Sequence, residues 1–291
     1  MSLILDPRDP LKDCASRARC LHWRSYVLEC VHSIFIIYQM RKTNFFQLCL
    51  LLILTSPSLH AQQASSNAAP AFHGDIGVGI HHAPNIVNSV SNSDQTIPYA
   101  NFEYGDLFVR IDMIGLRTIP IGYGNIELVT RVLDDGYTRV GANGEQERRR
   151  SSVPLGLGTL QIMPFGAIMV NVYRDANQSH GTMADVLFAE EIDLGDFSIY
   201  PQIGAEYRSG DYVRYFYGVS RTAPTQSMAG DYIAMDATNP FIALFIEMKI
   251  TGNWYLNTDI RKLWLDKSIY SSPIVKRHNI TTGLVALSYR F

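Results

Sequence analysis

From residue 72 onwards, the sequence consists of segments of roughly ten residues in which apolar and polar side chains alternate, separated by turn-forming residues. In 254–264, one set of alternate positions is largely apolar and begins and ends on Trp254 and Trp264, whereas the other set includes Asp259 and Arg261. Because successive side chains of a strand point to opposite faces, the pattern predicts strands with one apolar and one polar face. No amphipathic helix of useful length is apparent in this part of the sequence.

Alternation alone fits both a soluble sandwich and a membrane barrel, which differ in the side on which the apolar face lies. Composition favours the barrel, because 18% of the residues are charged, whereas a soluble globular chain carries about a quarter. Trp254 and Trp264 close the two ends of one apolar face, as the two aromatic girdles of a membrane strand do. The formal net charge of -2 argues against a nucleic-acid partner. The predicted fold class is all-β, an antiparallel transmembrane β-barrel.

A secretory signal peptide is predicted inside the first quarter of the chain. Met40, Arg41 and Lys42 begin a basic region, an apolar run follows at 45–54, and Ala61 fits the cleavage position. All four cysteines lie at or before Cys49, so the exported part contains none. The predicted organisation is an upstream extension from a misassigned start at 1–39, a signal peptide at 40–61, a flexible leader at 62–72 and the barrel at 73–291. Export through a cleaved signal peptide places the protein in the outer membrane of a Gram-negative bacterium.

The segments number twelve, and their connections alternate between short and long. The predicted strands are 73–82, 97–104, 107–114, 115–121, 124–134, 154–162, 165–174, 180–191, 196–207, 240–250, 254–264 and 279–291. If the chain begins and ends in the periplasm, the short turns fall inside and the connections at 83–96, 135–153, 208–239 and 265–278 fall outside, as expected for such barrels. The shortest segments lie between 97 and 121, so a count of ten strands stays open.

Two stretches of the sequence resemble a known family. The last apolar positions, Val285, Leu287, Tyr289 and Phe291, share one face and resemble the C-terminal signal that the barrel-assembly machinery reads. A Tyr-rich stretch resembles the "DYxxxYYGV" motif of the MipA/OmpV family; its matching positions are Asp211, Tyr212, Tyr215, Phe216, Tyr217, Gly218 and Val219. The opening loop departs from that family at 85–89, and 115–165 matches only in pattern.

The resemblance implies an outer-membrane barrel in contact with membrane lipid and lipopolysaccharide. Some members of the family are scaffolds that connect a murein hydrolase, a lytic transglycosylase, to a bifunctional penicillin-binding protein. Others are adhesins or stress-responsive surface proteins. Because function resides in the loops and turns of such a barrel, the family alone does not choose among these roles. The first hypothesis is therefore a non-enzymatic scaffold or surface-interaction protein.

The polar faces of the strands predict the content of the lumen. Charges of both signs are expected to point inward, and these are Glu127, Arg131, Glu206, Arg208, Glu247, Lys249, Asp259 and Arg261. A twelve-stranded barrel has little spare interior, so cross-strand ion pairs would leave a narrow or closed lumen. A narrow channel for small solutes is the alternative function. The Tyr212–Tyr217 cluster is expected to pack in the barrel mouth, although ligand stacking is a second interpretation.

Other polar clusters support chemistry only weakly. Ser179 and His180, with Asp175 nearby, suggest a lipid-modifying enzyme, but adjacent loop residues rarely place a nucleophile and its base within hydrogen-bond reach. His81 and His82 point to opposite faces of a strand and cannot readily share a metal. We therefore expect no catalytic residue, no cofactor and no metal. The arginines at 148–150 are interpreted as a solvated loop tip, with lipopolysaccharide phosphates as the alternative contact.

Overall fold

The structure is a computed structural model that describes residues 71–88, 90, 93–140, 146–219 and 231–291. The predicted extension, signal peptide and nearly all of the leader lie outside the described residues. Fifteen strands and two helices occur in the described part: β1 Phe72–Ala83, β2 Ser93–Tyr104, β3 Leu107–Arg110, β4 Met113–Ile121, β5 Gly124–Arg131, β6 Tyr137–Val140, β7 Gln146–Arg149, β8 Pro154–Met163, β9 Gly166–Asp175, β10 Thr182–Ala189, β11 Ile192–Asp193, β12 Phe197–Arg208, α1 Gly210–Tyr217, β13 Ala237–Thr251, β14 Trp254–Trp264, α2 Lys267–Tyr270 and β15 Asn279–Arg290.

Twelve of these strands form a closed antiparallel barrel. Most pair with the next strand along the chain, β5 pairs with β8 across the separate β6–β7 hairpin, and β10 pairs with β12 beside the short β11. The barrel closes where β1 meets β15, with Ile76 opposite Tyr289 and Ile80 opposite Val285. A membrane-spanning sheet requires that no strand keep a full-length free edge, and closure meets this requirement. The predicted all-β barrel of twelve strands is confirmed.

The described strands differ from the predicted ones mainly at the second and third. β2 begins at Ser93 rather than at 97, and β3 turns back at 111–112 after four residues. The turn was not predicted because Ile111 occupies a left-handed conformation with φ 56°, which is rare for a β-branched residue. Standard turn residues, by contrast, mark the other short connections, where Gly105, Gly122 and Gly252 adopt positive φ.

The two faces of the wall are reversed relative to a soluble protein. Outward apolar side chains are exposed, for example Ile80, Leu157 and Ile260. Inward charged side chains such as Asp75 and Glu127 are buried, each 1% exposed. An apolar surface outside and a polar interior are the arrangement that lipid selects.

Both helices belong to the long connections at one end of the barrel. We call this the outer end, and the end with the short turns and the C-terminus the inner end, because even-stranded barrels keep both termini in the periplasm. α1 follows β12 and α2 follows β14. Within the residues that the structure describes, neither helix has the length and apolar character needed to cross a membrane.

Candidate functional site: the charged lumen and its lid

Arg290 organises the inner end of the lumen. Its Nε and Nη2 donate to the two carboxylate oxygens of Asp75 at 2.6 and 2.7 Å, and its Nη2 and Nη1 donate to Glu247 at 2.6 and 3.1 Å. The guanidinium also lies 3.9 Å from the ring centroid of Tyr255. One cation therefore joins β15 to β1 and β13, and bidentate pairing of this kind is the strongest form of a charge-assisted hydrogen bond.

A second ion pair lies between β3 and β5. Arg110 donates through both terminal nitrogens to Glu127 at 2.8 and 2.7 Å, and both side chains are buried. The guanidinium packs 3.8 Å over the ring of Phe108. Gly115 provides the space for this ring, because a Cβ on Gly115 would overlap Phe108. A small residue in β4 thus allows an aromatic ring and a buried ion pair to share the lumen.

Nearer the outer end, two further clusters face each other. Arg131 donates to Asp112 at 2.6 Å and to Asp185 at 3.1 Å, and Asn171 donates to the second oxygen of Asp185 at 2.9 Å. Glu206 accepts from Arg208 at 2.8 Å. Because these groups are buried or half-buried, each charged side chain depends on its partner for the stabilisation that water would otherwise provide.

Arg261 completes the second cluster. It donates to the other oxygen of Glu206 and lies 3.7 Å over the ring of Phe241. Two guanidinium groups, those of Arg208 and Arg261, therefore share one carboxylate. In the first cluster the ratio of guanidinium groups to carboxylates is reversed, since Arg131 pairs with the carboxylates of both Asp112 and Asp185.

α1 folds over the mouth of the barrel and acts as a lid. Tyr212 and Phe216 are buried, and the Tyr212 hydroxyl donates to Asp135 at 2.7 Å. The carbonyl of Phe216 accepts from the Tyr137 hydroxyl at 2.5 Å, and that of Tyr217 accepts from the Ser272 hydroxyl at 2.6 Å. The Tyr-rich stretch is thus tied to the connections that follow β5 and β14.

Burial changes the acidity of the lid tyrosines. It raises the pKa of Tyr137 to about 12, and the nearby Glu147 acts in the same direction. Burial, followed by the carboxylate of Asp135, also raises the pKa of Tyr212 well above its usual value. Both phenols therefore stay protonated at neutral pH and remain hydrogen-bond donors.

A cavity of about 270 Å³ lies beneath the lid. Its apolar lining consists of Leu133, Leu263, Leu265, Ile269 and Ile280. The charged part of the lining consists of Arg131, Asp134, Asp135, Glu206, Arg208 and Arg261, and Tyr212 and Tyr217 come from the lid. The volume is close to the lower limit of ordinary small-molecule sites.

The structure brings most of the predicted inward charges into the lumen. Ion pairs contain Glu127, Arg131, Glu206, Arg208, Glu247 and Arg261. Asp259 is buried on β14, whereas Lys249 is exposed near the inner end of β13. The predicted insertion-signal residues Val285, Leu287, Tyr289 and Phe291 are exposed on the outer surface, and so are Trp254 and Trp264 at the two ends of β14. Their suggested roles remain predictions.

The remaining residues of the Tyr-rich motif are less deeply placed. Tyr215 accepts from the Arg150 amide at 3.3 Å, and Asp211 forms an exposed ion pair with Arg214. Gly218 ends α1, because its amide donates to the Arg214 carbonyl at 2.9 Å. Val219 pairs with Tyr232 in an isolated bridge.

Several lumen residues were missed by the sequence reasoning. These are Asp75, Arg110, Asp112, Asp185 and Arg290, all of which form ion pairs in the barrel. Asp75, Asp185 and Arg290 alternate with outward apolar neighbours, so strict parity along each strand was the available signal. Asp112 lies in the unpredicted turn and carries no such signal.

Ser179 belongs to a turn in the described structure. Its hydroxyl donates to Asp175 at 2.6 Å, and its amide donates to the same carboxylate oxygen at 2.7 Å. Asp175 also accepts from the amides of Asn177 and Val153. This is the pattern of a carboxylate that caps a loop. Among the described residues no group of three or more His, Cys, Asp or Glu side chains is placed to hold a metal ion.

The basic run after 145 is partly ordered as strand β7. Arg149 and Arg139 both pair with Glu147, at 2.6 and 2.7 Å, while Arg148 and Arg150 are exposed. Part of the charge is therefore neutralised within the β6–β7 hairpin. The lipopolysaccharide contact remains a prediction for the exposed arginines.

Comparison with known proteins supports the family resemblance. The chain is 21% identical over 233 residues to YiaT of Escherichia coli (strain K12), which is named among outer membrane proteins; the match covers 77% of this chain and 93% of the relative. It is 25% identical over 146 residues to the MltA-interacting protein of the same strain, covering 49% and 58% of the two chains. OmpV of Vibrio cholerae serotype O1 is 25% identical over 198 residues, covering 66% and 77%.

The alignment with a solved porin structure covers 76% of this chain and 100% of the porin chain, with 7% sequence identity and a TM-score of 0.30. The family assignment does not depend on so distant a likeness. The sequence profile of the family described as MltA-interacting protein MipA matches residues 76–291, which include all twelve barrel strands in whole or in part. The chain therefore belongs to the MipA family and is a β-barrel protein of the outer membrane.

Proposed function

We propose that this protein is a non-enzymatic scaffold of the outer membrane that contacts a cell-wall hydrolase, and through it a cell-wall synthase, at the periplasmic end of the barrel. The observation that carries the proposal is membership of a family described by its interaction with MltA. One relative is itself named MltA-interacting protein. A barrel whose interior is occupied by ion pairs leaves its two ends as the surfaces for contact.

The inner end offers one connection that is larger than the others. Four of the inner turns span only two residues each between strands, at 105–106, 122–123, 164–165 and 252–253. The connection between β10 and β12, residues 190–196, is longer and exposes Leu194, which is 51% accessible. Ile192 is exposed in the same connection. Because an exposed apolar patch rimmed by polar residues marks protein contact surfaces, we expect a periplasmic partner to bind here.

Site-specific photo-crosslinking in cells tests the proposal. A photoreactive amino acid replaces Leu194 at the inner end or, as a matched control, Ile233, an exposed residue of the outer connections. We expect the Leu194 position to recover a murein hydrolase or a penicillin-binding protein, and the Ile233 position to recover neither. If both positions recover no cell-wall enzyme, or recover the same one equally, the scaffold proposal is wrong.

Channel activity is the alternative that a second measurement distinguishes. Arg290, Asp75 and Glu247 lie in the lumen near the inner end and form ion pairs there. We therefore expect no conductance of porin size when the purified protein is inserted into planar bilayers. A stable, large unit conductance would instead favour a channel. Non-enzymatic action is supported by the capping role of Ser179, since its hydroxyl donates to Asp175.

A further inference from the structure

The barrel wall has a notch beside the outer half of β2. All twelve residues of β2 pair with β1, but only Asn101–Tyr104 pair with β3 on the other side. β3 then turns at 111–112, and the Ile111 amide donates to the Ala100 carbonyl at 2.8 Å. Among the described residues, 93–99 therefore form a strand edge within an otherwise closed barrel. Pro98 lies in this stretch, and proline is tolerated where a strand lacks a neighbour.

The opposite side of the notch is the segment that continues from β5. The Val132 amide donates to the Asp112 carbonyl at 2.8 Å, so this segment begins at the base of the notch. Further out, the Gln95 side chain donates to Asp134 at 3.0 Å and crosses the opening. Both side chains are exposed. We define the notch by these three boundaries: residues 93–99, 111–112 and 132–134.

The notch lies at the height of the apolar belt. On the outer face of the adjoining strand, Ile80 is 64% exposed and is opposite Thr96 of β2. The next outward pair along the strands is His82 and Asp94, which approach to 2.5 Å and form a polar boundary. Because Thr96 lies on the membrane side of this polar pair, the lower part of the notch faces the outer leaflet.

The cavity beneath the lid borders this notch. Leu133 and Asp134 belong both to the notch edge and to the cavity lining. Leu263 and Ile280 also belong to the apolar lining of the cavity. The space of about 270 Å³ suits a short acyl chain better than a full lipid.

The lining carries three arginines and three carboxylates, but these charges are unevenly distributed. Arg208 and Arg261 share the single carboxylate of Glu206, so one positive charge of this trio is left over. The guanidinium of Arg261 carries five donors, and Nη2 donates one of them to Glu206. The acids near the notch accept hydrogen bonds from neutral donors, Asp135 from the Tyr212 hydroxyl and the Ser152 amide and Asp134 from Gln95.

We infer that this cavity binds a small amphiphile with one anionic head group and a short apolar chain, which arrives from the outer leaflet through the notch. The head group pairs with Arg261 and Arg208, and the chain lies along Leu263 and Ile280. A bidentate guanidinium contact with a carboxylate or a phosphate supplies the specificity. Burial of the chain supplies most of the affinity.

Photolabelling in lipid nanodiscs tests the site. The full chain is produced in Gram-negative cells, purified from their outer membranes into phosphatidylcholine nanodiscs and irradiated with a decanoate that carries a diazirine. We expect the label on the inward residues Leu263 and Ile280. Label confined to outward residues such as Ile260 and Val285, which face lipid, would overturn the site.

Competition and substitution identify the head-group contact. Unlabelled decanoate and decyl phosphate are expected to displace the label, and the more effective of the two identifies the natural head group. Decanol and decyltrimethylammonium are expected not to displace it. Arg261→Gln should reduce labelling by about tenfold or more, the loss expected for one hydrogen bond to a charged group. Lys249→Gln removes a cation at the distant inner end and should change nothing. Equal labelling of the Arg261→Gln variant, or displacement by the cationic compound, would contradict the inference.

A second variant guards against a folding defect. Leu263→Trp keeps all charges and fills the cavity, so it should abolish labelling while the heat-dependent gel shift of the barrel is unchanged. For the route, Gln95→Cys and Asp134→Cys are combined and bridged by a reversible bifunctional thiol reagent; all native cysteines lie at or before Cys49, outside the barrel. Bridging should slow labelling and a reductant should restore it. An unchanged labelling rate in the bridged protein would overturn access through the notch.

Discussion

The inner and outer halves of the lumen differ in how their charges are matched. In the inner half, Arg290 donates hydrogen bonds to two carboxylates, and its guanidinium packs against the ring of Tyr255. In the outer half, Arg208 and Arg261 share Glu206, and a cavity of about 270 Å³ lies beside them. The same kinds of side chain therefore close one half and leave room in the other.

The wall explains this difference. β13, β14, β15 and β1 are 15, 11, 12 and 12 residues long and pair over almost their full lengths. β3 has only four residues, and the wall above its turn is interrupted. Where neighbouring strands are long, inward side chains pair between nearby strands within the lumen. Where the wall is low, the lid and loops complete the enclosure. A closed inner end and an adaptable outer end follow from strand length.

Breaking the inner cluster should produce the largest effect. Arg290→Met leaves the buried carboxylates of Asp75 and Glu247 without a cation. Removing one partner of a buried ion pair costs about 3–5 kcal/mol. We expect a loss of that size in the free energy of unfolding, measured by urea titration of the protein in lipid vesicles.

A matched variant sharpens the comparison with the outer half. In Arg261→Gln, Glu206 keeps Arg208 at 2.8 Å, so this carboxylate stays paired. We therefore expect a much smaller loss of stability than for Arg290→Met. If both substitutions reduce the free energy of unfolding equally, the proposed difference between the two halves is incorrect.

The lid should respond separately from the inner half. Tyr212→Phe removes the hydrogen bond to Asp135, and a hydrogen bond to a charged group contributes about 1.5–3 kcal/mol. Amide hydrogen exchange of α1 should accelerate by about tenfold or more, while exchange in β15 stays unchanged. Acceleration in both elements would show that the lid and the inner half open as one unit.

The sequence was sufficient to predict the barrel, the twelve strands and most inward charges. Alternation assigns Glu127 and Glu247 to the inside because their neighbours are apolar, a rule that needs no knowledge of partners. Partners could not be predicted, since Arg290 on β15 reaches Glu247 on β13 across the intervening strand. The notch was equally hidden, because it depends on a turn at Ile111, a residue that rarely adopts positive φ. The cavity depends on where α1 packs, which periodicity does not encode.

Alkaline pH should weaken the lid at Tyr137. Burial raises the pKa of Tyr137 to about 12, above the usual value of 10.0, so the folded state favours the protonated phenol. The stabilisation is complete below the unfolded pKa and is lost as the pH rises through the folded one. Subtracting the tyrosinate absorbance of Tyr137→Phe from that of the native protein should give a single titration with a midpoint near 12. A midpoint near the ordinary value would mean that the hydroxyl is not held against the Phe216 carbonyl.

The smallest effect concerns the outer surface of the barrel. There the two ends should have similar aromatic girdles, although the two halves of the lumen differ. Trp254 and Trp264 are exposed at opposite ends of β14, and the part of the chain after Cys49 contains no other tryptophan. If both belong to aromatic girdles, lipids brominated near the head group should quench each one more strongly than lipids brominated at the chain centre. Trp254→Phe and Trp264→Phe isolate the two signals, and the substitutions should change stability little. Strong quenching of Trp264 by mid-chain bromine would place the outer interface beyond α2, and the notch beside β2 would then lie deeper in the membrane than the His82–Asp94 pair indicates.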